Sequence, residues 1–415
     1  MIIQVIVLLV LAVLVFRWPY LGVVVTLASL PLGDILPDIP NFSSAVSLLG
    51  GIALIGFLIS SLVKKKINPG VYLLIPLALI PGLLLLLWMT ATSFWAAVIP
   101  NSDGRVWLYT YLQLWLLAWL AAFLLTTPKK IHIFMWVFLG AAVVSALYAG
   151  FEGVIGESVK TSLRAEGLAD GANNAARYFL IALMFAYFLL SREKKRYLRL
   201  LLLIGAAVLL YGLFVTVSRT GLLLLASALG ILFFQNMGNN KRSVYVVAFI
   251  LLAVGLVWVL ADNIVLIAQG ISNSILAGTD TVGIRYGLWQ AGLRMWADHI
   301  VAGVGIGQFN SNLPFYGWDL LKPRYLALGP HNMYISVLAE MGLVGLGLFV
   351  AMFAISLWDL WRNSRSANLD VAELSRNWLI IVILVLLAGI TKQDEYDKLT
   401  WLVVGVSLAI GRMRQ

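Results

Sequence analysis

Residues 330–357 read PHNMYISVLAEMGLVGLGLFVAMFAISL: a Pro-His-Asn triplet followed by about 25 predominantly apolar residues, interrupted only by Glu340. A run of that length matches the ~20 residues that cross a ~30 Å hydrocarbon layer as α-helix. Comparable runs recur on both sides. They occupy approximately 2–16, 20–35, 45–63, 71–91, 106–126, 131–151, 175–191, 197–216, 219–235, 243–262, 331–357, 377–392 and 398–412. Across the 415 residues, 61% are hydrophobic and 12% charged. The spacing predicts an all-α, polytopic transmembrane bundle of twelve or thirteen helices. The strands of a membrane barrel would alternate apolar and polar residues in segments of about ten, and no such alternation is present. The first run lacks a basic start and a small-residue cleavage site, and a second run follows Arg17-Trp18-Pro19, so it reads as retained and not as a signal peptide. With no fixed-period repeat and no linker, residues 1–415 read as one integral domain, and 263–330 is its sizeable loop.

The charges orient the bundle. Lys64-Lys65-Lys66, Lys129-Lys130, Arg192 to Arg199, Lys241-Arg242, Arg362 to Arg376 and Arg412/Arg414 fall on alternate loops. The excess of Lys and Arg in cytoplasmic loops places all six, and the C-terminus, inside. The formal net charge of +10 is therefore a topology signal and not a nucleic-acid surface. Segments 152–174, Val217-Ser218-Arg219, 263–330 and 392–397 then share the extracytoplasmic side and are expected to form one surface. There is no cysteine, which removes thiol nucleophiles and thiolate metal sites. The acids Glu152, Glu157, Asp262 and Asp280 are too widely spaced to suggest a divalent-metal site, so metal-independent chemistry is expected, with no cofactor.

Ionisable groups beside hydrocarbon are costly and mark candidate functional positions. Arg219 lies in a tight outer turn, where arginine is normally scarce. A guanidinium there asks for an anion, either a phosphate gripped in bidentate fashion or a carboxylate in an interhelical ion pair. Thr281–Asp298 carries Arg285, Trp289, Leu293 and Trp296 near one helical face. Such a face suits the headgroup layer, as a simple anchor or as a guide leading a lipid or glycan toward Arg285. In Gly303-Val304-Gly305-Ile306-Gly307 the spacing is that of a phosphate loop, but neither the flanking strand and helix nor a Gly-Lys-Ser/Thr ending is present. Glycine's backbone freedom, letting the loop fold back over the membrane, is the better reading. His331 stands at the extracytoplasmic start of a membrane helix. Imidazole transfers protons near neutral pH, and a nearby arginine would favour its neutral, basic form. The competing reading is that His331 merely caps the helix. His132 and His299 have no comparable setting. Arg164 and Arg177 add cations on the same side, and local pairing with Glu166 and Asp170 would account for Arg164.

The succession Arg164-Ala-Glu-Gly with Asn173-Asn174, Ser218-Arg219-Thr220-Gly221, Arg285-x-x-x-Trp289, Gly303-Val-Gly-Ile-Gly-x-Phe309, and Pro330-His331-Asn332-x-Tyr334 with Glu340-x-Gly342 resembles the O-antigen ligase and polymerase superfamily. The likeness covers about 160–345 and is greatest to the lipid A core ligases. It implies a GT-C-type glycosyltransferase at the periplasmic face of a Gram-negative inner membrane. By the same resemblance, the donor is an undecaprenyl-diphosphate-linked glycan and the acceptor the lipid A core, with inversion and no metal; a monomer is expected. His331 would be the general base, and Arg219 and Arg285 would hold the diphosphate. Arg164, Arg177, Asn332, Tyr334 and Trp289 would serve substrate binding. Glu340, nine residues beyond His331, reads as a supporting residue. Polymerases and protein O-oligosaccharyltransferases of the same superfamily are the alternatives. A transporter or channel, with Arg219 and His331 gating an anion, is disfavoured because no inverted repeat is visible and the polar groups sit at one edge.

Overall fold

The computed structural model describes residues 2–33, 45–63, 76–96, 104–155, 165–169, 171–235 and 281–413. Among the described residues there are fourteen α-helices and no strand. In chain order they are α1 (Ile2–Arg17), α2 (Tyr20–Ala28), α3 (Ala45–Val63), α4 (Leu79–Ala96), α5 (Gly104–Leu124), α6 (Pro128–Ile155), α7 (Ala172–Arg192), α8 (Arg196–Val215), α9 (Arg219–Gln235), α10 (Thr281–Asp298), α11 (Phe309–Gly317), α12 (Met333–Asn363), α13 (Leu369–Ala388) and α14 (Lys398–Arg412). The chain is a polytopic helical bundle, as its hydropathy predicts. Six helices (α5, α6, α7, α8, α12 and α13) are long and apolar enough to cross a membrane, and shorter apolar helices lie within α3, α4 and α9. The expected span 243–262 lies outside the described residues, as do Arg164 and positions 263–280 of the long loop.

One helix boundary differs from expectation for a physical reason. Hydropathy places α13 from 377, yet the helix starts at Leu369. Asn368 caps it there, accepting hydrogen bonds from the amides of Asp370 (3.1 Å) and Val371 (3.4 Å). A cap sets where a helix begins, whereas hydropathy reports only where its charged first turns end. The run predicted at 71–91 is helical from Leu79.

The bundle core is aromatic where α6, α7 and α13 meet. Phe185 stacks on Trp378, with ring centroids 5.8 Å apart, and Phe134 and Phe138 close around them. The Trp378 indole N–H donates to the Val403 carbonyl of α14 at 2.9 Å, which satisfies its polar atom inside the bundle. A second, smaller core joins α10 and α11 to the first turns of α12: Leu288, Ala291, Met295, Phe309, Leu313, Leu321 and Ala339. The face of α10 that is buried is thus Leu288-Ala291-Gly292-Met295. The Arg285-Trp289-Trp296 flank is half-buried and Leu293 is exposed. This corrects the expectation that those four residues form one membrane-facing surface: α10 packs first on protein.

α12 is broken at Gly342, whose φ of 65° and ψ of −165° are non-helical. The break would orphan two carbonyls and two amides, and the segment after α10 replaces their partners. Val304 and Gly305 donate N–H to the carbonyls of Ala339 and Glu340, both at 2.9 Å, while Leu343 and Val344 donate to the carbonyls of Ile300 (2.9 Å) and Val301 (3.4 Å). Unpaired backbone in or beside hydrocarbon costs several kcal/mol per group, so this exchange is what permits the break. Gly303 and Gly342 lie against the opposing backbone, and a Cβ on either would overlap it. Gly303, Gly305 and Gly307 all take positive φ, so the loop uses glycine's backbone freedom as well as its close approach.

Candidate functional site

His331 ends a loop whose last carbonyl is fixed, because the Trp289 indole N–H donates to Pro330 O at 2.9 Å. Asn332, not His331, caps α12: its side-chain oxygen accepts from the amides of Tyr334 (2.9 Å) and Ile335 (3.1 Å). The capping reading of His331 is thereby removed. The backbone of His331 has φ +49°, a conformation uncommon outside glycine, and among the described residues its imidazole makes no hydrogen bond. Burial pushes the imidazole below its ordinary pKa of 6.5, and the charges of Arg285 and Lys392 push the same way. The lowered pKa favours the neutral imidazole at the start of the helix.

Arg285 reaches this region from α10. It is half-buried, forms no ion pair among the described residues, and has its own pKa lowered by burial. Arg219 opens α9. Its neighbour Ser218 is buried, accepts the Gly221 amide at 3.1 Å and donates to the Asn173 side chain at 2.8 Å. Ser218 therefore caps the helix and leaves Arg219 exposed, with no carboxylate partner among the described residues. The alternative of an interhelical ion pair finds no support there.

The segments that charge patterning grouped on one side do meet among the described residues. Ala165 donates its amide to Val215 O at 3.3 Å. The Glu152 carboxylate accepts from the amides of Glu166 (3.2 Å) and Gly167 (2.9 Å). Lys392 donates to the Asn174 side chain and pairs with Asp394 at 3.1 Å. Gln393 donates to Ser336 Oγ at 3.1 Å and lies against Gly329. Asn173 and Asn174 thus link the Arg219 turn on one side to Lys392, and so to His331, on the other.

Several expected binding residues are committed elsewhere. Arg177 is buried, with its guanidinium on Asp394 at 2.5 Å and Asp397 at 2.7 Å; it closes a charge cluster and is not a free cation. Asn332 is the helix cap. The Tyr334 hydroxyl donates to Leu386 O at 2.8 Å, and the Met333 amide to Gly389 O at 2.8 Å, tying α12 to α13. Trp289 is spent on Pro330. Lys392 is the residue that sequence reasoning passed over. The available signal was a lysine on a loop that charge patterning places opposite every basic cluster. Glu340 is a clamp: its two carboxylate oxygens accept the amides of Gly307 (2.9 Å) and Phe309 (3.0 Å).

A family model described as O-antigen ligase matches residues 204–350. Over that stretch the chain is similar to the O-antigen ligase superfamily. The matched region contains Arg219, Arg285, His331 and the clamp Glu340, while Arg177 and Lys392 lie outside it. An O-antigen ligase of Pseudomonas aeruginosa PAO1 is 27% identical over 237 residues, which is 55% of this chain and 50% of that protein. The chain therefore matches about half the length of this curated superfamily relative.

Proposed function

We propose that this chain is a glycosyltransferase that moves a glycan from a lipid diphosphate to a hydroxyl of an acceptor sugar, at the membrane face that carries His331. The donor in this reading is an undecaprenyl-diphosphate-linked glycan and the acceptor the lipid A core. The reaction is inverting and metal-independent on a GT-C-type scaffold. The enzyme is a monomer in a Gram-negative inner membrane with its site toward the periplasm, and the six basic clusters on the opposite loops support that orientation. The observation that carries the proposal is the state of His331: released from capping by Asn332, half-buried, and held neutral beside Arg285 and Lys392.

The imidazole takes the proton from the acceptor O–H as that oxygen bonds to the anomeric carbon. The bond from the anomeric carbon to the phosphate oxygen breaks on the opposite side, and the lipid diphosphate leaves with the electron pair. In this reading Arg219 and Arg285, unpaired among the described residues, meet the charge that grows on the leaving group. Fixed cations stabilise a developing anion without reorganising at the moment of reaction. A positioned general base contributes about 10²–10⁴-fold.

The test is transfer by purified protein in the presence of EDTA, with undecaprenyl-diphosphate O-antigen and lipid A core, read as a ladder on a gel. His331→Ala should lose transfer by at least about 10²-fold while retaining donor binding, and Arg219→Ala or Arg285→Ala should weaken both. A His331→Ala protein that still builds the ladder overturns the base assignment. Chain growth on donor alone, without transfer to core, overturns the acceptor.

A further inference from the structure

α10 has an apolar edge that is exposed among the described residues. On a helix of ~3.6 residues per turn, Tyr286, Leu293 and Ala297 align along one edge, with Ile300 and Val301 continuing it beyond the helix end. All five are exposed, and the four large side chains are at least 43% so. The neighbouring polar edge carries Arg294, paired with Asp319 at 2.7 and 3.0 Å, and Asp298. The opposite flank carries Arg285, Trp289 and Trp296.

The edge runs directly into the exposed stripe of a membrane helix. Ile300 and Val301 accept the amides of Leu343 and Val344, both exposed. From Leu343 the exposed positions of α12 continue through Gly347, Val350, Ala354, Trp358 and Trp361, at spacings of three and four residues. Trp358 and Trp361 are followed by Arg362 and Arg365, with Arg365 over the Trp361 ring at 3.9 Å. Exposed tryptophan beside arginine marks a membrane–water boundary. Eighteen residue steps at ~1.5 Å each give ~27 Å from Trp361 to Leu343, close to the thickness of the hydrocarbon layer. The break at Gly342 therefore lies at the opposite boundary, and the residues stacked beyond it on the same side of the molecule lie in the interfacial layer.

We propose that Tyr286, Leu293, Ile300 and Val301 form a lipid-contacting edge. Its partner is the acyl–headgroup boundary of the leaflet on the His331 side. α10 is then partly inserted along this edge, with Ile300 and Val301 deepest because they are bonded to span residues, Tyr286 shallower, and Arg294 in water. Arg285 is left on the flank between lipid and protein, at the height where lipid phosphates lie. The inference does not depend on the chemistry proposed above.

Because the chain has no cysteine, single nitroxide labels can be placed without removing any native thiol. Tyr286→Cys, Leu293→Cys and Ile300→Cys are labelled, with Arg294→Cys as the aqueous control and Leu203→Cys, an exposed position on the membrane helix α8, as the hydrocarbon control. In vesicles of phosphatidylethanolamine and phosphatidylglycerol, collision with oxygen is compared with collision with a water-soluble nickel chelate. Leu293 and Ile300 should favour oxygen as Leu203 does, Ile300 more than Tyr286, and Arg294 should favour nickel. Labels at Leu293 and Ile300 that follow Arg294 overturn the proposal. So do labels shielded from both reagents, which would mean that protein covers the edge.

Discussion

Gly342→Ala tests the joint between α12 and the loop that follows α10. The glycine occupies φ 65°, ψ −165° with the Val301 backbone against it. An alanine forced into this conformation carries about 1–3 kcal/mol of backbone strain, and its Cβ has no room. The relief available is for the loop to leave and α12 to straighten, regaining its own hydrogen bonds. The groups of Ile300, Val301, Val304 and Gly305 then lose their partners, at about 1 kcal/mol each, and the Glu340 carboxylate loses two amides. The strained route costs about 1–3 kcal/mol plus the clash, and the straightened one about 4–6 kcal/mol. Gly347→Ala is the matched control: it lies in the same helix with open space at its Cβ, so alanine should stabilise by about 0.5–1 kcal/mol. Apparent melting in detergent at a fixed scan rate separates them, with Gly342→Ala lower than wild type and Gly347→Ala equal or higher. Donor binding should fall in Gly342→Ala, because the loop that carries α10 and Arg285 has lost its seat. If the two variants melt alike, the loop is not held by the break and the account of the joint is wrong.

Two further outcomes follow from the site. On the proposed mechanism His331 acts as a base when neutral, and its pKa lies below the ordinary 6.5; transfer should therefore persist as pH falls below that value and decline only at lower pH. Removing one of the charges responsible, as in Lys392→Gln, should move the acid limb upward, and initial rates at saturating donor across about pH 5–8 would show it; an unmoved limb refutes the electrostatic role of Lys392. Arg177→Met leaves Asp394 and Asp397 without their buried partner and should cost about 3–5 kcal/mol. Recovery of thermal stability in Arg177→Met combined with Asp394→Asn and Asp397→Asn is the check, and a triple variant no better than the single one rules out the charge cluster as the cause.

Hydropathy and the alternation of basic loops were enough to read from sequence that this is a helical membrane bundle and which segments share a side. Both are one-dimensional consequences of transferring residues into hydrocarbon, and neither requires knowing who packs against whom. The amphipathic stretch Thr281–Asp298 and the position of His331 at a helix start were legible for the same reason. Tertiary structure alone decided that Asn332 takes the cap and frees His331, that Arg177 is consumed by two aspartates 217 and 220 residues along the chain, and that Lys392 charges the site from the far end of the sequence. It also decided which edge of α10 stays exposed, and that the glycines at 303 and 342 serve a backbone exchange across the broken helix. Each of these depends on pairing between residues distant in the chain. A side chain's charge and polarity are written locally, but whether its hydrogen bonds and its charge are already spent is set by partners that only folding brings within reach.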